Sequence, residues 1–205
     1  MSDPSPAPIG VVLAGGRGRR LGGDKALAML GSRPLISYPL AAMSAVLADV
    51  AVVAKPGTAL PPPARLCGAE VWLEPAEPRH PLVGLLYALR RAAGRPVLVC
   101  ASDLPFVTPA VLRALTRAPA GGAPAVLACS ASGAAQPLLG RYEPAAADLL
   151  AGAARAAAAP LQAAVAAIGP RHLTVEDPDA LFNVNSPQDL AAAEALLAVR
   201  RRRHD

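Results

Sequence analysis

Ile9-Gly-Val-Val-Leu-Ala-Gly-Gly-Arg-Gly-Arg-Arg-Leu-Gly-Gly-Asp-Lys25 joins two kinds of segment. Ile9 to Ala14 is a short, β-branched, uninterrupted apolar run, as expected of a strand buried on both faces of a parallel sheet. From Gly15 to Asp24, five glycines and three arginines leave too much glycine for a helix and too little apolar surface for a strand, so this segment is a loop. The glycines can turn backbone N–H groups inward, while the arginines and Lys25 supply fixed positive charge, a combination suited to a polyphosphate. Two widespread phosphate motifs do not fit. The dinucleotide pattern GxGxxG needs glycine where Leu21 stands, and GxxxxGK counted from Gly18 meets Asp24 before Lys25.

Beyond the loop, apolar residues return at helical spacing from Pro34 through Leu47, and a second strand is expected at Asp49–Ala54. The proline-rich stretch Pro56 to Pro63 reads as a surface loop. Val71–Leu73 gives a third strand, and Pro81–Ala93 a helix with Leu82, Leu85, Leu86 and Leu89 on one face. Pro96–Cys100 is a fourth strand, ending at Ala-Ser-Asp103, after which Thr108 or Pro109 opens a helix through Arg117. This alternation over residues 9–130 predicts an α/β fold: a three-layer, Rossmann-like, mainly parallel sheet with helices on both faces. Such sheets bind ligands beyond the carboxyl ends of their strands. The glycine-arginine loop and Asp103 both follow strands and therefore share one edge, where a carboxylate facing bound phosphates is placed to hold Mg²⁺. An isolated aspartate after a strand is more often a cap or turn residue, and the loop beside it reverses that preference towards the metal role. Further along, Gln136–Tyr142 and His172–Val175 are candidate strands. Ala145–Ala167 is an alanine-rich helix broken by Pro160, and Pro187–Val199 is a helix introduced by Ser186.

The 205 residues suit one domain, and 53% hydrophobic with 17% charged residues excludes an intrinsically disordered chain. There are 48 alanines and only 3% aromatic residues, so packing relies on small side chains. No apolar run approaches the ~18–20 residues that span a bilayer, and the start MSDPSPAPIG lacks the pattern of a signal peptide, so the expected location is cytoplasmic, with no membrane partner. Cys67, Cys100 and Cys129 form no CxxC pair and are read as small buried side chains. The net charge is +5, of which the last six residues, RRRRHD, contribute +3. That reads as a solvated basic tail over 200–205 and not as a nucleic-acid surface. Of the 20 basic residues, 18 are arginine and only Lys25 and Lys55 are lysine. Ser130 and Ser132 lie outside a GxSxG elbow, and His80, His172 and His204 lack triad or metal spacing, so hydrolase chemistry has no support.

The segment LAGGRGRRLGGDK resembles the amino-terminal signature of sugar-phosphate and cofactor nucleotidyltransferases, and within them most resembles molybdenum cofactor guanylyltransferase. Other resembling segments follow in order: His80-Pro-Leu-Val-Gly84, Ser102-Asp-Leu-Pro-Phe106, Gln136-Pro137 and Phe182-Asn-Val-Asn-Ser-Pro-Gln-Asp-Leu190. The resemblance implies a nucleotide-diphospho-sugar transferase type of fold, with a nucleotide-binding half over about 8–130 and an acceptor-binding half over about 131–199. It also implies transfer of GMP from Mg²⁺-GTP to molybdopterin, in a protein that can hand product to molybdoenzymes or delivery proteins. Leu13, Ala14, Gly15 and Gly16 then correspond to contacts on the guanine and ribose side. Arg20 and Lys25 correspond to triphosphate contacts and Asp103 to the magnesium ligand, with Asn185 as a second candidate there. Gly84, Gln136, Pro137, Asn183 and Asn185 fall to the acceptor side, although Asn183 equally suits a turn.

The sequence departs from the family at Ala54, where asparagine is usual, at Pro75, where aspartate is usual, and by one residue missing before Asp24. Glu74, one position earlier, is an alternative source of the missing acid, and Lys55, after Ala54, is within reach of the site; the preferred reading of both is an exposed strand-end charge. Two alternatives stay open: a cytidylyltransferase or other transferase acting on a phosphorylated small molecule, and a non-catalytic nucleotide-binding delivery protein. The cytidylyl branch usually has Ala-Ala-Gly and Pro-Lys where this chain has Leu-Ala-Gly-Gly and Asp-Lys.

Overall fold

In the computed structural model, residues 6–14, 17–18, 23–156 and 160–202 are described. The four apolar runs anticipated over the first half become β1 (Ile9–Leu13), β2 (Val50–Ala54), β3 (Glu70–Leu73) and β4 (Val97–Ala101). β5 (Ala125–Cys129), β6 (Ala135–Tyr142) and β7 (Arg171–Thr174) complete one sheet in the order β7-β5-β6-β4-β1-β2-β3. All neighbouring pairs are parallel except those of β6, which runs antiparallel between β4 and β5. The chain starts in mid-sheet at β1, steps out to β2 and β3, and returns to place β4 on the other side of β1. Strand order therefore reverses between β1 and β4, and their carboxyl ends flank the crevice where open α/β sheets bind ligands.

Both faces of the sheet are covered because its central strands are buried along their whole length and alternate side chains face opposite ways. Val12, Val52, Leu98 and Cys100 pack under α1 (Ser37–Ser44) and α3 (Pro109–Arg117). Val11, Leu13, Val53, Val97 and Val99 pack under α2 (Pro81–Arg91), α4 (Ala146–Ala156) and α5 (Leu161–Ala167). A third cluster holds α6 (Pro187–Arg202) through Ala193 and Leu197 against Leu30, Leu35, Phe106 and Val184. The helix starts follow local chemistry: Thr108 accepts a hydrogen bond from Val111 N before Pro109 opens α3, and His80 Nδ1 accepts one from Leu82 N before Pro81 opens α2.

Several details differ from the sequence reading. The first helix begins at Ser37 and not at Pro34, because Arg33–Pro34 pairs with Met29–Leu30 in a small antiparallel ladder. β5 was not anticipated, since alanine at two of its five positions weakens the strand pattern. Cys67 is exposed while Cys100 and Cys129 are buried. α6 runs on through Arg202, so the tail's first three arginines are helical. Arg200 pairs with Asp177 and Asp179 at 2.8 and 3.1 Å and lies over the Phe106 ring, tying the end of α6 to the body.

Lys55 and Glu74 also differ: each retains only 4% exposure. Lys55 Nζ donates to the carbonyls of Pro75 and Pro78 at 2.7 and 3.2 Å and lies 3.5 Å from Glu74 Oε2, so the ends of β2 and β3 and the loop leading into α2 are tied by one ammonium. Glu74 rests on the first turn of α2, where a Cβ on Gly84 would come within 3.2 Å of its carboxylate. Burial raises the Glu74 pKa, and the attraction of Lys55 only partly opposes this.

Two stability predictions follow from this packing. A Cβ on Gly140 would meet Leu127 Cδ2 at 2.6 Å and the Val126 carbonyl oxygen at 2.7 Å, whereas one on Gly152 in α4 meets nothing within 4 Å. Gly140→Ala therefore lowers stability in thermal melts by about 1–3 kcal/mol, and Gly152→Ala raises it by about 0.5–1 kcal/mol. Lys55→Met leaves Glu74 buried without its counter-charge and costs about 3 kcal/mol near neutral pH. Because the folded Glu74 then holds its proton even more tightly than the unfolded chain does, ionising it costs folded-state stability. The deficit seen in denaturant titrations is therefore larger at pH 8 than at pH 5.

Candidate active site

β1 and β4 end side by side. Ser102 N donates to the Leu13 carbonyl at 3.1 Å, and Ala14 N donates to the Val53 carbonyl at 2.8 Å, so Leu13, Ala14 and Asp103 meet at one sheet edge. Leu13 and Ala14 are buried there. Gly15, Gly16 and Arg20 lie outside the described residues. The loop closes with Arg17–Gly18 paired antiparallel to Gly23–Asp24, and a single 3₁₀ turn, Lys25–Leu27, follows.

Lys25 is the centre of the site. Its Nζ donates to Asp103 Oδ2 at 2.5 Å and to Asn185 Oδ1 at 2.6 Å, bringing together residues 78 and 160 positions apart in the chain. The Lys25 and Asp103 side chains are only 12% and 17% exposed. Asn185 reaches the lysine because its backbone is held on both sides. Val184 N donates to the Asp103 carbonyl at 3.0 Å, and Asn185 N donates to Asp189 Oδ2 at 2.9 Å in the first turn of α6. Asp189 N in turn donates to Ser186 Oγ at 3.2 Å, which closes a capping arrangement. The Asn185 amide, and after it the Ser186 hydroxyl, hold the Asp189 carboxyl below the usual range. Asp189 was not among the residues singled out from the sequence, although Ser-Pro-Gln-Asp has the three-residue spacing of a capping box and so signals it.

The remaining candidates are distributed as follows. Gly84 is buried on the first turn of α2 against Glu74. Pro137 and Gln136 lie on β6 just before Leu139, which pairs with Cys100, and the Pro137 carbonyl accepts a hydrogen bond from Tyr142 Oη at 2.5 Å. Asn183 Nδ2 donates to the Leu181 carbonyl at 3.1 Å, the local bond of a turn residue. His80 serves as the α2 cap and His172 lies exposed on β7.

The donor set suits a hard divalent cation. Asp103 Oδ1 is buried with no hydrogen-bond partner among the described residues, and Asp103 Oδ2 and Asn185 Oδ1 converge on a positive charge already. Among the described residues no group of three or more His, Cys, Asp or Glu side chains is placed to hold a metal. A cation at Asp103 would thus complete its shell with water and phosphate oxygens, the pattern typical of Mg²⁺. No helix is long and apolar enough to cross a membrane among the described residues.

Residues 10–170 match the family described as MobA-like NTP transferase domain. The chain is 36% identical over 194 residues to the molybdenum cofactor guanylyltransferase of Cereibacter sphaeroides, covering 92% of this chain and 96% of that one. It is 38% identical over 206 residues to the enzyme of the same name from Acidiphilium cryptum, covering 95% and 98%. The solved structure of molybdopterin-guanine dinucleotide biosynthesis protein A from Archaeoglobus fulgidus matches with a TM-score of 0.73 at 27% identity, over 92% of this chain and 98% of that one. That of 2-C-methyl-D-erythritol 4-phosphate cytidylyltransferase from Thermus thermophilus matches with a TM-score of 0.65 at 26% identity, over 92% and 98%. The α/β fold is that of the nucleotidyltransferases, and with such identity along nine-tenths of its length the chain belongs to the molybdenum cofactor guanylyltransferase family.

Proposed function

We propose that this protein transfers GMP from Mg²⁺-GTP to the terminal phosphate of molybdopterin, forming the guanine dinucleotide and pyrophosphate. The observation that carries the reading is the meeting of Lys25, Asp103 and Asn185 where the glycine-arginine loop returns to the sheet, in a chain 36% identical to molybdenum cofactor guanylyltransferases. The half up to about residue 130 binds the nucleotide, with Leu13, Ala14, Gly15 and Gly16 against guanine and ribose and Arg20 and Lys25 on the triphosphate. The half from about 131 to 199 binds the acceptor, with Gly84 from α2 joining Gln136, Pro137 and Asn183. Asp103, with Asn185, holds Mg²⁺. The reaction takes place in the cytoplasm, and the product passes to molybdoenzymes directly or through delivery proteins.

The acceptor phosphate is already an anion, so the protein needs no strong general base. Its residues align that oxygen with the α-phosphorus and the departing pyrophosphate, and they neutralise charge that builds on the leaving group. Lys25 and Arg20 supply fixed positive charge on the pyrophosphate side. Asp103 and Asn185 would hold the cation, which when bound would supply further charge neutralisation. Leu13 and Ala14, buried at the β1 end, present backbone atoms to the nucleotide.

The test is a panel of nucleoside triphosphates labelled at the α-phosphate, each incubated with Mg²⁺ and molybdopterin carrying molybdenum. Transfer of label from GTP alone is expected, and transfer from CTP in its place overturns the guanylyl reading. Asp103→Asn lowers kcat by about 100- to 1000-fold, the scale seen when one charge-stabilising group is removed from an active site. Binding of GTP with no transfer to the acceptor would instead identify a delivery protein.

A further inference from the structure

We infer that Lys25 is the resident cation of this site: its ammonium occupies the position a divalent metal takes in the working enzyme, and it leaves that position only when nucleotide and metal arrive together. The inference rests on the proposed function for what arrives, but the present occupant is seen directly. Lys25 Nζ sits 2.5 Å from Asp103 Oδ2 and 2.6 Å from Asn185 Oδ1, the oxygens that form the cation-binding donor set. The other Asp103 oxygen is buried and unpartnered among the described residues, so this carboxylate depends on a nearby positive charge. Lys25 supplies that charge, and its own low exposure of 12% shows it drawn inward and not extended into solvent.

Two positive charges cannot share the space between one pair of oxygens without strong repulsion in so enclosed a site. Metal binding at Asp103 therefore requires Lys25 to move, and moving it alone would strand a buried cation. A triphosphate removes the difficulty, since it offers the ammonium a new set of oxygens while bringing the metal its remaining ligands. Metal and nucleotide are thus coupled through one side chain. The free protein has weak affinity for the metal alone, and each ligand raises affinity for the other by the same factor. Asn185 keeps its place during the exchange because its backbone is anchored by Asp189 and its neighbour Val184 is bonded to the Asp103 carbonyl.

The experiment uses the full chain without nucleotide and Mn²⁺ as the metal, with free Mn²⁺ read by electron paramagnetic resonance. Lys25→Met is expected to bind one Mn²⁺ at least about tenfold more tightly than the unmodified protein, within the usual range of coupling between sites. Lys25→Gln, which keeps a donor and removes the charge, shows the same gain should the methionine variant fold poorly. Adding Asp103→Asn to either variant abolishes it. Mn²⁺ also raises the thermal midpoint of the lysine variants, and leaves the unmodified protein nearly unmoved until a non-hydrolysable GTP analogue is added. Equal Mn²⁺ affinity with and without the lysine charge overturns the inference, as does a gain that survives Asp103→Asn. These readings need no acceptor and no turnover, so failure of GMP transfer overturns only the proposed function.

Discussion

One ammonium holds three distant parts of the chain at a single point. Lys25 comes from the end of the glycine-arginine loop, Asp103 from the end of β4 and Asn185 from the entry to α6. The reversal of strand order about β1 makes the first two neighbours, and the α6 cap brings in the third. Without that charge the Asp103 carboxylate, partly buried and with one oxygen unpartnered among the described residues, loses the cation that offsets its lost hydration.

The two lysines, rare in a chain with 18 arginines, do related work. Each is a compact point charge with three donors, and each is enclosed among oxygens from different elements, Lys25 at the site and Lys55 at the ends of β2 and β3. The planar arginines span broader acceptor sets. Arg141, with 9% exposure, gathers the carbonyls of Leu115, Thr116 and Ala118 at the end of α3 and pairs with Glu143. Arg200 divides itself between two aspartates and an aromatic face.

The parts of the fold that were legible in advance are those where the signal is local. β1 and β4 are uninterrupted apolar runs, Thr108 and Pro109 mark a helix start, and Pro160 splits α4 from α5. The placement of Asp103 opposite the loop also followed from strand order. β5 escaped because alanine is nearly silent about strands, and the late start of α1 because Pro34 suits a small ladder as well as a first helical turn. The burial of Lys55 and Glu74 could not be read locally. A charged pair at strand ends looks exposed until the carbonyls of a loop some twenty residues on are seen to receive the ammonium. The meeting of Lys25 with Asn185 has no local signal either; only the family resemblance assigned both to the phosphate and metal side of one site.

That last distance has a consequence for assembly on the ribosome. A nascent chain that has emerged through residue 130 already carries β1, β4, Lys25 and Asp103, yet it lacks Asn185, the Asp189 anchor and the Arg200 clasp, which belong to the last helix or its approach. The contact that completes the centre spans 160 residues and is among the costliest in chain entropy to close. The centre is therefore incomplete until Asn185 and its Asp189 anchor have packed beside β4, however early Lys25 and Asp103 emerge.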